Sequence, residues 1–298
     1  MKLFKQKESL IENIAFMGLM SAINIVLAVV IALVPFMGFI LVLILPLISA
    51  LTEIYTKDRY YPIYAVATIG LALVATLWNI ETTIYYLIPA VITGYIFGLI
   101  SKKGISPIWA IMAASILEAG LTYVSFLITN AILGIDVIET IKVLLNLKDS
   151  KTFDTIIPFA LVTFALVEMS LSYFVIHFEL KKLNVEQSDN DDLFMMDIAT
   201  IVYSLLIIPM YFMAVNIGYV TLAFAIFLTI YIITMTISKK DIRSLVFYGI
   251  SLIAGVIFFI LMNPIMKETS GLLSLGIIPF LISLINLLHC FLNKNIKK

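Results

Sequence analysis

Residues 14–34 read IAFMGLMSAINIVLAVVIALV, twenty-one residues without a charge. At 1.5 Å of rise per residue such a helix covers the roughly 30 Å of bilayer hydrocarbon, and about 17 residues already suffice. The same test applied outward along the chain places spans near 14–34, 39–56, 61–78, 82–100, 107–133, 155–178, 195–215, 219–237, 244–263 and 272–293. Most are separated by charge clusters or by breaks such as Pro35-Phe-Met-Gly38 and Asn216-Ile-Gly218. Composition agrees: 62% of the 298 residues are hydrophobic and 13% charged, against about half and a quarter in soluble domains. No remainder is long enough for a soluble catalytic domain. The sequence predicts an all-α, polytopic transmembrane bundle of about ten helices. Eight is the alternative count, because 39–56 and 61–78 are short and can form a broken or re-entrant pair.

Charge sets the expected orientation. With the N-terminus inside, fifteen of the nineteen Lys and Arg residues fall in cytoplasmic loops and ends, and only Lys142, Lys148, Lys151 and Lys267 fall outside. That asymmetry predicts both termini in the cytoplasm of a cell carrying this protein in its plasma membrane. The first apolar stretch exceeds a typical leader core and no small-x-small site follows it, so it is expected as a retained helix. Tyr60, Tyr61, Trp78 and Trp109 fall near span ends, as interfacial aromatics do. One cysteine, Cys290, excludes an intrachain disulfide. No basic stripe with interleaved aromatics points to nucleic acid.

Two segments fall outside the spans. Residues 134–154 are the long outer loop, where Val137, Ile138, Ile141, Leu144 and Leu145 recur at helical spacing opposite Asp136, Glu139 and Lys142. This predicts an amphipathic helix on the outer surface, serving either as a solvated connector or as a lid. The stretch NVEQSDNDD, 184–192, is the most polar in the chain. It divides a six-helix membrane domain (1–183), through a linker (184–193), from a four-helix membrane domain (194–298).

Polar residues inside spans carry the functional reading, since an ionised carboxylate at mid-membrane costs about 2.5–3.5 kcal/mol on insertion scales. Glu118 and Glu168 lie near the middles of their spans, in the related strings Glu118-Ala-Gly-Leu-Thr-Tyr123 and Glu168-Met-Ser-Leu-Ser-Tyr173. Ser115, Glu118, Thr122, Ser125 and Thr129 share one helix face, and Glu168 with Ser172 makes a shorter stripe. Asn24 is expected to face the same interior. Two readings follow: a polar cavity opening outward, whose carboxylates accept a solute's donors or cationic group, or protonated Glu residues that hydrogen-bond the helices together. Small-residue rows, Gly18/Ala22 and Ala90/Gly94/Gly98, read as close packing or as partner docking. His177 and His289 have no ligand-type residues at metal spacing, so neither metal nor cofactor is expected. Asp197 opens the seventh span, where it can snorkel, favour the helix N-terminus or relay protons. Nucleotide-binding GxxxxGK[ST], HExxH and GxSxG patterns are all missing, so no enzyme is expected.

Several of these segments resemble the substrate-binding S components of energy-coupling factor (ECF) vitamin transporters. The likeness rests on Ala15-Phe-Met-Gly-Leu-Met-Ser-Ala22, the short span with Leu45-Pro46-Leu-Ile, the basic turn Lys57-Asp-Arg59, and Ile88-Pro-Ala-Val-Ile-Thr-Gly94-Tyr-Ile-Phe-Gly98 before Lys102-Lys103. It covers about residues 10–180. Over the whole length the chain resembles the YybS-like (DUF2232) membrane proteins. The resemblance implies a small-molecule binding subunit that does no chemistry on its substrate. Its Gly18 and Ala22 would dock a transmembrane ECF coupling subunit driven by partner ATPases. The family's Ala-x-x-x-Ala reads Gly18-Leu-Met-Ser-Ala22 here, and four further helices follow. A self-contained proton- or cation-coupled transporter and a non-transport membrane scaffold are the alternatives.

Overall fold

A computed structural model describes residues 6–144, 150–183, 193–238, 242–266 and 275–296. Among them every regular element is helical: α1 (Leu10–Leu33), α2 (Gly38–Leu41), α3 (Leu45–Tyr55), α4 (Tyr61–Ala75), α5 (Ile88–Lys103), α6 (Pro107–Leu133), α7 (Val137–Leu144), α8 (Ser150–Lys182), α9 (Leu193–Met213), α10 (Val215–Ser238), α11 (Ile242–Met266) and α12 (Ile277–Ile296). Six helices are long and apolar enough to cross a membrane: Leu10–Leu33, Thr83–Lys103, Pro107–Ile132, Ile157–Lys182, Leu193–Met213 and Val215–Ser238. Large apolar side chains such as Ile11, Val66, Phe164 and Phe212 remain exposed, a surface that suits lipid better than water. The chain is a multi-pass, all-helical membrane protein.

Of the other expected spans, 39–56 and 61–78 carry shorter helices, while α11 and α12 fall at 244–263 and 272–293. α1 starts on a reciprocal cap: Glu12 N–H donates to Ser9 Oγ at 3.2 Å, and Ser9 N–H to Glu12 Oε2 at 3.2 Å. It stops before Pro35, whose ring drives Val34 out of the helical region. The stretch 39–56 then forms not one helix but the four-residue α2 and the eleven-residue α3. Alone, α3 spans about half the hydrocarbon thickness. The stretch 82–100 opens as a π-turn over Thr83–Leu87, with the N–H of Ile88 reaching back to Thr83 O. The widened turn leaves room for Pro89, which cannot donate to the preceding turn. α7 occupies part of the outer loop, its start capped by Asp136 Oδ1, which accepts from Glu139 N–H at 3.0 Å. Leu145 and the polar segment 184–192 lie outside the described residues.

The chain divides into two compact units, residues 1–148 with 164–191, and residues 149–163 with 192–298. In the first, α3 is the innermost helix, buried at Leu45–Leu47 and throughout Ser49–Tyr55. Two glycines of α5 admit it. A methyl group at Gly94 would collide with the Ser49 side chain and come within 2.6 Å of Pro46 O, and one at Gly98 would lie 2.5 Å from Glu53 Cβ. This Gly94/Gly98 row therefore serves internal packing. In the second unit α9 and α10 pack together around Ile207, Leu222 and Ala225, with Tyr203, Ile226 and Leu275 against them.

Candidate functional site

The α6 stripe turns inward. Ser115, Glu118, Ser125 and Thr129 are buried, and Thr122 is half-buried. The hydroxyls of Ser115, Ser125 and Thr129 are engaged by the protein. Ser115 donates to Ile111 O at 2.7 Å and lies 3.3 Å from Ala165 O on α8. Ser125 donates across to Ile84 O in the π-turn at 3.2 Å, and Tyr85 donates to Thr129 Oγ1 at 2.7 Å. Hydroxyl-to-carbonyl bonds of this kind join helices where no water competes.

The carboxylates are different. Glu118 and Glu168 come close enough for their charges to interact, and Tyr86 lies within electrostatic reach of Glu168. Glu118 Oε2 and the neighbouring stripe's Ser172 Oγ are buried without a hydrogen-bond partner. Two like charges that interact in a membrane interior repel unless a proton or a cationic group offsets one of them. The site thus sets two carboxylates against the single unspent proton of the Ser172 hydroxyl, so acceptors outnumber donors. It suits a ligand that brings N–H groups or positive charge.

Asn24 does not join this face. It donates to Ser49 Oγ at 3.1 Å and to Tyr64 OH at 2.7 Å, so it ties α1 to α3 and α4. An amide inside an apolar span bonds to the polar atoms its own face meets, and for Asn24 those belong to α3 and α4. Gly18 and Ala22 sit on an exposed face of α1, and a methyl group at Gly18 would meet nothing within 4 Å. His177 stacks near Tyr173 at 6.0 Å with Nδ1 buried and unbonded. Among the described residues no three His, Cys, Asp or Glu side chains cluster to hold a metal. In the second unit an apolar cavity of about 230 Å³ is lined by residues such as Ile226, Ile233, Leu252 and Ile282. It offers no polar group to orient a ligand.

Two polar clusters escape a reading by sequence alone. In the first unit Lys102 Nζ reaches Glu53 Oε1 at 2.9 Å, Thr56 O at 2.9 Å and Asp58 Oδ1 at 2.5 Å. The hydrogen bond from Lys102 holds the Asp58 carboxyl below its ordinary value of 3.8. Beside it the chain before α1 is pinned: Lys7 N–H donates to Tyr55 O at 2.9 Å, and Lys57 Nζ to Glu8 O at 2.8 Å. In the second unit Asp197 Oδ1 accepts from Asn286 Nδ2 at 3.2 Å, and Asn286 Oδ1 accepts from Tyr248 OH. The pairings span 49 and 89 residues, beyond any local pattern. Only the presence of a lone carboxylate in each apolar run signals them.

Among known proteins, no family model matches this chain, and no curated protein or solved structure does.

Proposed function

We propose that the protein is a membrane-embedded subunit that binds a small solute and passes it inward without chemistry on it, in the manner of an ECF S component. In this reading all ten apolar regions are inserted in the plasma membrane, and both termini are cytoplasmic. The observation that carries it is the Glu118–Glu168 pair with its unpartnered Glu118 Oε2 and Ser172 Oγ. An excess of acceptors over donors favours a solute with a protonated amine. The exposed Gly18/Ala22 face of α1 is the docking surface for a coupling subunit, whose partner ATPases supply the energy.

Unfolding temperatures of the purified full-length protein, measured against a panel of small organic ammonium compounds and matched carboxylates, test the site. Stabilisation confined to ammonium compounds and lost in both Glu118→Gln and Glu168→Gln is the expected result. Equal responses in wild type and both variants overturn it. Recovery of a coupling subunit and paired ATPases with the tagged protein in mild detergent tests the docking half. A self-contained secondary transporter is the second reading, favoured by the electrostatic interaction of the two carboxylates, whose repulsion one bound proton or cation would relieve. Uptake by proteoliposomes holding this chain alone and driven by a proton gradient would select it.

A further inference from the structure

The second unit contains a polar junction to which each of its four long helices contributes one residue: Asp197 of α9, Thr236 of α10, Tyr248 of α11 and Asn286 of α12. Tyr248 OH lies 3.3 Å from Thr236 Oγ1 and donates to Asn286 Oδ1. That bond settles which way the Asn286 amide points, because its oxygen is occupied and its nitrogen is turned to Asp197 at 3.2 Å. Asp197 is buried, and no cationic side chain pairs with it among the described residues.

Two further oxygens lie one turn away. Thr200 is three residues beyond Asp197 and fully buried, with its hydroxyl proton donated to Met196 O at 2.8 Å. Ser283 is three residues before Asn286 and fully buried, and its Oγ has no partner at all. The helices run in opposite directions: Asn286 meets Asp197, while Leu275 packs on the cluster around Ile207. Thr200 and Ser283 therefore lie on the same side of the Asp197–Asn286 contact. The count of groups is one-sided. Asp197 brings two acceptor oxygens and receives one N–H. Thr200 has spent its proton, and Ser283 has lone pairs to give. A carboxylate with two further hard oxygens within a helical turn, and only the Ser283 proton still unspent, matches the environment of an oxygen-ligated cation. One negative charge matches one positive charge, whereas a divalent ion would leave a net charge in the membrane.

We propose that Asp197, Thr200 and Ser283 bind an alkali cation, sodium foremost, with Asn286 and Tyr248 as positioning residues. The proposal is independent of the Glu118–Glu168 reading. Protons compete for Asp197, so occupancy falls as pH falls. The buried face of α10 carries no ionisable side chain, α12 presents Ser283 and Asn286, and Tyr248 of α11 is the other titratable group of the junction.

The test is the unfolding temperature of the full-length protein in detergent, with NaCl replacing choline chloride at constant ionic strength, repeated in the Glu118→Gln/Glu168→Gln variant, where choline has no carboxylate pair to bind. A ligand bound only by the folded state stabilises it in proportion to the logarithm of its excess over Kd. The expected rise is about 3–5 °C between roughly 1 and 100 mM sodium at pH 8, and it shrinks at pH 5. Asp197→Asn abolishes the sodium response. If that variant fails to fold, Ser283→Ala decides. Its hydroxyl has no partner to lose, so the unfolding temperature in choline stays unchanged while half-maximal stabilisation needs several-fold more sodium. A larger response to potassium than to sodium would still assign an alkali-cation site. Superimposable curves in sodium, potassium and choline, or a full sodium response in both variants, overturn the proposal.

Discussion

Lys102 holds three acceptors at once, and two of them are carboxylates. Glu53 is fully buried, and its second oxygen, Oε2, has no partner, whereas Lys102 keeps 21% of its side-chain surface exposed. Removing one member of a buried ion pair is costly mainly because the other charge is stranded. Lys102→Met is expected to destabilise the protein by about 2–3 kcal/mol, below the roughly 3–5 of a fully buried pair, because Lys102 is partly hydrated. Lys102→Met combined with Glu53→Gln should regain most of that loss, since the stranded charge is gone. Detergent or urea unfolding of the two variants measures it, and equal stability of single and double variants would show that the ion pair does not govern this end of α3.

At the scale of elements, α3 and α5 form the closest helix pair of the first unit, and glycine is what permits it. A methyl group at Gly94 meets both the Ser49 side chain and the Pro46 carbonyl, and backbone cannot move aside cheaply. Gly94→Ala is expected to lower stability by about 1–3 kcal/mol. Gly18→Ala, on a face where nothing lies within 4 Å, should leave unfolding unchanged, so any loss of activity there would report a partner. Both are read from the same thermal melts. How much of this was visible beforehand depends on range. Helix positions follow from apolar runs and from the prolines that interrupt them, and the α6 stripe follows from three- and four-residue spacing. The division of 39–56 into α2 and α3 was within reach because Pro35, Gly38 and Pro46 surround it. Pairing was not. Asn24 lies midway along an uncharged helix, and its choice of Ser49 and Tyr64 over Glu118 depends on how α3 enters the bundle. Lys102 reads as a marker of the cytoplasmic side, and no local pattern connects it to Glu53.

For the whole molecule the expectation is a fixed sidedness. If all ten apolar regions are inserted as the basic residues require, Lys102 and Lys182 face the cytoplasm and Asp136 faces outward. Single cysteines introduced at Lys103, Asp136 and Lys181 in a Cys290→Ser background test this with a membrane-impermeant thiol reagent on intact cells. Only the Asp136 position should react before the cells are opened. Labelling of Lys103 alone, with Asp136 protected, would invert the topology, and labelling of Asp136 and Lys181 together would reduce the number of crossings.

The pairing of Glu53 with Lys102 also carries a consequence for synthesis. The lysine emerges 49 residues after the glutamate, about 2–10 s later at about 5–20 residues per second. During that interval α3 is both too short to cross the bilayer and burdened with a carboxylate that nothing neutralises. It is poorly suited to enter lipid by itself. The insertion machinery should therefore retain α3 until α5 follows, so that the two helices leave for the membrane together.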